Sequence, residues 1–498
     1  VYRVITRSWE KAGLLTSLLV FLFFSFGHIF NALEELFSEG LIPGINVSTL
    51  AWIWLGLYLV VAFFIIRITS TTKVTLFLNI SSFVLLSIPL LTVLITYLSV
   101  NPVALERERE KLEILRVQDL AEVSMVDLSD FDKPHIFMIY LDGYERADIL
   151  AEKYNFDNSP FIQELKQRGF FVAEKSHSNF LNTTYSMNTA MNLVYFSDFP
   201  GNLINNARYN LQTNYVSEFL QRQGYKIVVF DSGTGDSNNQ YADVFLSPVE
   251  NSTAQNTTLN SFEALLIRTT LGLALLKGSA ADDLGTNQGA VLASSVNQQL
   301  NIGRQRLRFS LEHLPDYASE PTPHFMFAHI YSPHIPFLFG PSGEDLLYQE
   351  GLNLYWYEPA PEDYIKKYID QIKTLNGLIL QTIDTIQGKS SKPYVIILQS
   401  DHGDDKFLSW SQPDAEGVTA RSAILNAIYY SDEDYQELYS TMTSVNTYRL
   451  VFNHWFGTSY PLLPDRIYFH EHPLDTPANR IPVFQDACQA FGLCLPAN

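Results

Sequence analysis

Several stretches of this 498-residue chain place residues capable of polar chemistry where apolar runs stop. Residues 394–398 are apolar and rich in β-branched side chains, the pattern of a strand buried on both faces. The run ends at Ser400-Asp401-His402-Gly403. A second run, 135–141 (HIFMIYL), ends at Asp142, and a third, 324–330, leads into Tyr331-Ser332-Pro333-His334. Open α/β folds put their sites at the carboxyl edge of the sheet. Taken alone, Ser-Asp-His-Gly fits a surface turn ahead of a helix cap equally well. Two carboxylates and an imidazole brought together suit one hard-to-borderline divalent ion, zinc or manganese. Thr183, after SNFLN, stands at the expected start of a helix. Threonine there is commonly an N-cap. The same position presents backbone N–H groups and a positive dipole end to an anion. A hydroxyl held there beside a cation becomes a nucleophile toward phosphorus or sulfur.

Neighbouring residues compete for these roles. Thr184 is the alternative to Thr183, which is preferred by its spacing from Ser178-Asn179. His329 alternates with apolar neighbours and reads as a packed histidine. Asp404 and Asp405 read as solvated turn residues. Arg421, just before a strand, could pair with a phosphate through two N–H groups, but a surface salt bridge is the plainer expectation. Asp231 also ends a strand, with Gly233 and Gly235 after it, and is expected in a loop near the site rather than as a ligand.

The elements that must position these residues follow from periodicity. Strands are expected over 135–141, 226–230, 324–330, 394–398 and 423–430. Helices are expected over 160–168, 183–196, 212–223, 288–314, 364–386 and 445–456. Alternating strands and helices predict an α/β sandwich on a mainly parallel sheet. Ahead of it lie three apolar runs, 12–30, 50–66 and 74–100, each long enough to cross a bilayer at ~1.5 Å per residue. Arg3, Arg7 and Lys11 precede the first run and Arg67 and Lys73 follow the second, which places those segments in the cytoplasm and everything after Val100 outside. Residues 101–133, with mixed Glu and Arg/Lys, read as a solvated stalk. The domains expected are thus a membrane anchor (1–100), a stalk (101–133) and an extracytoplasmic catalytic domain (134–498). The chain opens at Val1 rather than Met, leaving room for helices upstream. A net charge of −20 argues against a nucleic-acid partner. Cys488 and Cys494, the only cysteines, rule out a Cys-rich zinc motif and form either a small disulfide loop or two free thiols.

Asp142 after its strand, SNFLNTTYSMNTAMN around Thr183, HIYSPHIPF around His334 and QSDHGDD around Asp401 follow one another in an order that resembles the alkaline phosphatase superfamily. The likeness is to its membrane-anchored, sulfatase-like branch, which includes lipoteichoic acid synthases and phosphoethanolamine transferases. The resemblance implies an α/β/α sandwich and one divalent ion, zinc or manganese, held by Asp142, Thr183, Asp401 and His402. It implies Thr183 as nucleophile, with His334 contacting the substrate phosphate or assisting the leaving group. The chain departs from the pattern in having no Cys/Ser-x-Pro-x-Arg stretch, the precursor of formylglycine, and no Asp-x-x-x-His pair near His329 and His334 for a second metal. Asp142 stands where the transferases usually carry Glu, and no His follows His402 before His454. The expectation is a membrane-anchored phosphotransferase or phosphodiesterase whose partners are the lipid bilayer and a phospholipid or envelope-polymer substrate. A sulfatase without formylglycine and a non-catalytic envelope-binding scaffold are the alternatives.

Overall fold

A computed structural model of the chain describes residues 2–38, 47–99, 133–199, 211–235, 237–239, 241–248, 269–271, 287–347, 363–470 and 483–496. The chain divides into two compact units, residues 1–101 with 252–297, and residues 102–251 with 298–498. The stalk expected over 101–133 lies almost wholly outside the described residues.

The first unit is helical: α1 (Tyr2–Thr6), α2 (Trp9–Ser38), α3 (Val47–Arg67) and α4 (Thr72–Ser99). The windows Trp9–Phe30 and Val47–Arg67 are long and apolar enough to cross a membrane, while the apolar part of α4, Thr72–Ile88, is shorter. Only 33% and 11% of the two windows is buried within the protein, so neither is the core helix of a soluble fold. Apolar surface exposed on this scale belongs in lipid, and the chain is membrane-associated. The helices meet through polar contacts at their ends and aromatic contacts between. Lys11 Nζ donates to the Ile66 carbonyl (2.7 Å) at the end of α3, satisfying an otherwise orphaned helix-terminal acceptor. Trp54 Nε1 donates to the Leu22 carbonyl (3.0 Å), and its ring meets Phe26 edge-on.

The second unit is an α/β sandwich. In chain order it comprises β1 (His135–Asp142), α5 (Ala147–Tyr154), α6 (Ser159–Gln167), β2 (Phe171–Val172), α7 (Thr183–Asn192), α8 (Tyr215–Arg222), β3 (Lys226–Phe230) and β4 (Val244–Leu246). Then come α9 (Asn287–His313), which begins in the first unit's sequence range, β5 (His324–Pro333), α10 (Tyr364–Lys389), β6 (Tyr394–Ser400), α11 (Ala415–Ser422), β7 (Asn426–Tyr430) and α12 (Ser444–Phe456). Short strands β8 (Tyr468–Phe469) and β9 (Gln485–Asp486) and helix α13 (Ala487–Phe491) close the chain. The main sheet runs β2-β7-β6-β1-β5-β3-β4. Its five strands from β6 to β4 are parallel, and β7 and β2 add an antiparallel edge.

Every residue of β1 and β6 is buried, as a parallel strand covered on both faces requires. Ile136, Met138 and Tyr140 join one core with Met187 and Met191 of α7, Phe219 of α8 and Tyr448 and Phe452 of α12. The alternate residues Phe137, Ile139 and Leu141 point to the opposite face. There α10 packs against β5. Cys488 and Cys494 are joined by a disulfide that closes the end of α13.

Two element ends differ from expectation. The helix expected over 183–196 stops at Asn192, because Leu193 turns into the left-handed region (φ 61°) and its carbonyl accepts two hydrogen bonds from the buried Arg449 guanidinium (3.1 and 2.6 Å). The strand expected from 423 begins at Asn426, because Ala423 and Ile424 make single bridges to His177 and Glu145 instead of joining a ladder.

His135 opens β1 as a neutral ring. Its Nε2 donates to the Glu320 carbonyl (3.0 Å), and its Nδ1 accepts from the His324 backbone N–H (3.3 Å). Burial above all, with His324 and Lys392 adding repulsion, lowers its pKa to about 4. The unfolded ring titrates at about 6.5. The stability that the neutral ring contributes is therefore present above pH ~6.5 and lost as pH falls toward 4, at about 1.4 kcal/mol per pH unit. Urea unfolding of the full chain in detergent at pH 7 and pH 4.5 should show this loss, and His135→Asn should remove about one proton from the uptake on unfolding. An unchanged uptake would contradict the assignment.

Candidate metal centre

The site is built by strand register. β1 and β6 are parallel neighbours with Leu141 opposite Ser400, so the next residues, Asp142 and Asp401, leave the sheet side by side. The Asp401 loop is held tightly. Asp401 Oδ1 accepts from the backbone N–H groups of Gly143 (3.1 Å) and His402 (2.9 Å). Ser400 Oγ accepts from the Tyr144 N–H and lies 2.7 Å from the Leu141 carbonyl and 2.6 Å from the His402 carbonyl. His402 Nδ1 donates to the Gly403 carbonyl (2.8 Å), which leaves Nε2 as the nitrogen directed at the carboxylates. That nitrogen is 3.2 Å from Asp401 Oδ2 and 3.8 Å from Asp142 Oδ1.

Thr183 joins this group from the first turn of α7. Its Oγ1 lies 3.0 Å from His402 Nε2. It is not the N-cap. That work falls to Asn182, whose side chain accepts from the Thr184 N–H (2.9 Å). The cap thus satisfies the helix end without using the Thr183 hydroxyl.

Asp142, Asp401 and His402 offer ligand atoms within 4.8 Å of one another, all buried. Asp142 Oδ1 and Asp401 Oδ2 have no hydrogen-bond partner among the described residues. Two orphaned buried carboxylate oxygens beside an unprotonated imidazole nitrogen are costly as they stand and fit a divalent cation. The electrostatics agree. Burial raises the Asp142 pKa, but His334, His329 and His402 outweigh it and hold the carboxylate below its usual range. Burial and the Asp142 charge push Asp401 up to about 7. Burial, then Arg421, keep His402 neutral, as a ligand must be.

His334 lies beyond the end of β5. Its backbone N–H donates to the Asp142 carbonyl (3.0 Å), its Nδ1 donates to the Ile335 carbonyl (2.6 Å), and its ring packs at a tilt against Tyr331 (4.8 Å between centroids). His329 is packed, as its alternation predicts, yet its Nε2 is also 3.3 Å from Asp142 Oδ2.

Two expectations fail. Arg421 makes no surface salt bridge. It is buried, donating from Nε to the Leu181 carbonyl (3.0 Å) and from Nη1 to the Gly403 carbonyl (2.8 Å), with Nη2 3.3 Å from His402 Nε2. It thereby ties the segment before Thr183 to the loop after His402. The readable signal was spacing: Arg421 lies three and four residues after Val418 and Gly417, on the buried stripe of α11. Asp404 is not solvated. Its two oxygens accept from Tyr154 (2.7 Å) and Tyr364 (2.5 Å) in a buried cluster. Glu145, which the sequence did not single out, accepts from the Asp404 N–H (3.1 Å). Burial, then the Asp404 charge, raise its pKa well above the usual range, so it stays protonated.

Gly403 is the tightest point of the loop. A Cβ there would stand 2.7 Å from both the Ala420 carbonyl oxygen and Glu145 Oε2. Gly403→Ala should cost about 1–3 kcal/mol in unfolding free energy and, by displacing Asp401 and His402, should weaken the binding of a divalent cation offered to the site, zinc being the probe. Denaturant midpoints and zinc titration measure the two effects, and wild-type values for both would refute this account of the loop.

A family model described as Sulfatase matches residues 134–445, more than half of the chain. No curated protein matches it. Among solved structures, the zinc complex of the C-terminal periplasmic domain of EptC from Escherichia coli is 11% identical, with TM-score 0.40, covering 68% of this chain and 86% of that one. The integral membrane lipooligosaccharide phosphoethanolamine transferase A from Neisseria meningitidis is 12% identical, with TM-score 0.39, covering 82% and 69%. An alkaline phosphatase superfamily protein from Vibrio parahaemolyticus is 13% identical, with TM-score 0.39, covering 72% and 81%. By the match over residues 134–445, the chain belongs to the sulfatase family.

Proposed function

We propose that this enzyme is a membrane-anchored phosphotransferase or phosphodiesterase acting on a lipid head group or envelope polymer through a phospho-threonine intermediate. The observation that carries the reading is the position of Thr183 Oγ1, 3.0 Å from His402 Nε2, among carboxylate oxygens that lack partners. Asp142, Thr183, Asp401 and His402 would hold one divalent ion, zinc or manganese. Such an ion supplies the positive charge that lowers the hydroxyl pKa and offsets charge on the phosphoryl oxygens.

The residues then divide the work. Thr183 Oγ, its proton passed to solvent, attacks phosphorus, forming the Oγ–P bond while the bond from phosphorus to the leaving oxygen breaks. His334, with Nδ1 engaged by Ile335, gives the leaving oxygen a proton from Nε2. An acceptor hydroxyl or water then attacks the phospho-threonine, losing its proton to His334 and regenerating Thr183. Arg421 and the Gly143 and His402 amides hold the carboxylate and the nucleophile in register, so that little reorganisation is needed. The absence of a Cys/Ser-x-Pro-x-Arg stretch favours phosphorus over sulfate esters.

Residues 1–100 would anchor the enzyme by three spans, 101–133 would form the stalk, and 134–498 the extracytoplasmic catalytic domain. The charge pattern around the spans and the Cys488–Cys494 disulfide, which suits an oxidising compartment, support that orientation.

Thr183→Ala should retain fold and zinc but lose turnover of an aryl phosphodiester by about 10⁴-fold or more. Full activity would rule out the mechanism, and a parallel assay on an aryl sulfate in which sulfate is the better substrate would transfer the site to the sulfatase reading. His334→Ala should cost about 10²–10⁴-fold in kcat, with less loss for a substrate whose leaving group needs no proton. Equal losses across leaving groups would remove His334 from the acid role. Chelation should abolish activity, and zinc or manganese should restore it. Activity that survives complete chelation would refute the cation requirement.

A further inference from the structure

Beside the metal centre, along the same edge of the sheet, lies a cavity of about 330 Å³. The volume falls in the range of small-ligand sites. The loop after β3 supplies Asp231 and Gly233, β5 supplies His329 and Tyr331, and α9 supplies Arg306 and Ser310. Two of these side chains belong to both places. His329 sets Nδ1 against Ser237 Oγ (2.8 Å) and Nε2 against Asp142 Oδ2 (3.3 Å). Tyr331 packs at a tilt against His334, and its phenol is held protonated by burial and then by the charges of Asp142 and Asp401. These two side chains are the wall that the cavity shares with the centre.

The charge inside is uneven in its commitments. Asp231 has both oxygens filled. Oδ1 accepts from the Gly233 N–H (2.9 Å) and the Asn238 amide (2.8 Å), and Oδ2 from the Ser247 hydroxyl (2.7 Å) and Arg306 Nε (3.0 Å). Arg306 spends only Nε on that bond. Its two terminal nitrogens make no hydrogen bond among the described residues, and its side chain is 27% exposed. Gly233, at φ +82°, lets the guanidinium lie over the loop, since a Cβ there would come within 2.6 Å of Nη1. Anchored by Nε and open at the fork, the guanidinium is oriented for a planar or tetrahedral anion. The aliphatic walls, Leu307, Ile330 and Leu338, leave it without a rival cation among the cavity's lining residues.

We infer that this cavity is a subsite for a substrate group carrying an anion of its own, a carboxylate or a second phosphate, and that Arg306 is the residue that reads it. The inference rests on the metal centre being the phosphoryl centre, and the test separates the two. Butylphosphonate, 4-phosphonobutyrate and propane-1,3-bisphosphonate are titrated calorimetrically into the zinc-supplemented full chain in detergent. The two probes with a distal anion should bind at least about tenfold tighter than butylphosphonate, and whichever of them binds tighter identifies the anion. Arg306→Gln should bring all three to within about twofold, with butylphosphonate affinity unchanged. Arg306→Lys should retain part of the preference. Equal affinities in the wild type, a preference that survives Arg306→Gln, or binding of none of the probes overturns the subsite. Loss of butylphosphonate binding in Arg306→Gln overturns it too, since Arg306 then only supports the centre. If the two dianionic probes bind through Arg306 while butylphosphonate does not bind, the subsite stands and the phosphoryl centre falls.

Discussion

Two carboxylates that leave adjacent parallel strands side by side are the constraint on which the catalytic unit depends. Leu141 opposite Ser400 forces Asp142 and Asp401 into one buried space. Like charges so placed repel, and the pair resolves the conflict unequally: neighbouring histidines, His334 first, hold Asp142 ionised against its burial, and Asp401 is driven toward its protonated form. Much of the surrounding architecture makes that arrangement tolerable. Backbone amides saturate one Asp401 oxygen, and His402 is fixed by the Gly403 carbonyl with a neutral ring. What stays uncompensated is one oxygen on each acid, and that is where chemistry concentrates.

The loops that carry the site are fastened to one another more than to the sheet. Arg421 joins the stretch before Thr183 to the loop after His402 by two carbonyl contacts. Beneath that loop, Glu145, Asp404, Tyr154 and Tyr364 form a hydrogen-bonded floor in which one carboxylic acid stays neutral. Loops at a sheet edge are ordinarily the mobile part of an α/β enzyme. Here buried polar bonds make them nearly as determined as the strands.

Much of this was legible in the sequence. The continuous apolar runs of β1, β5 and β6 announced buried parallel strands, and the residues ending them announced polar groups gathered at the carboxyl edge. The convergence of Asp142, Thr183, Asp401 and His402 followed the order of those motifs. What could not be read was side-chain commitment. Nothing local says that Asn182 rather than Thr183 caps α7, because both are good caps. Arg421 and Asp404 look like surface residues by type, and only tertiary packing turns their polar groups inward. Arg306 lies on a helix far from the motifs, and only the fold brings it beside His329. The end of α7 was missed for the same reason, since Arg449 captures the Leu193 carbonyl from more than 250 residues away.

The cap on α7 has an evolutionary consequence. Because Asn182 carries the structural duty at the helix start, the hydroxyl of Thr183 after it is left without a capping role. Selection could exchange the hydroxyl at that position for another side chain without renegotiating the helix cap. A fold that separates the holder from the held in this way can diversify its reactions one residue at a time.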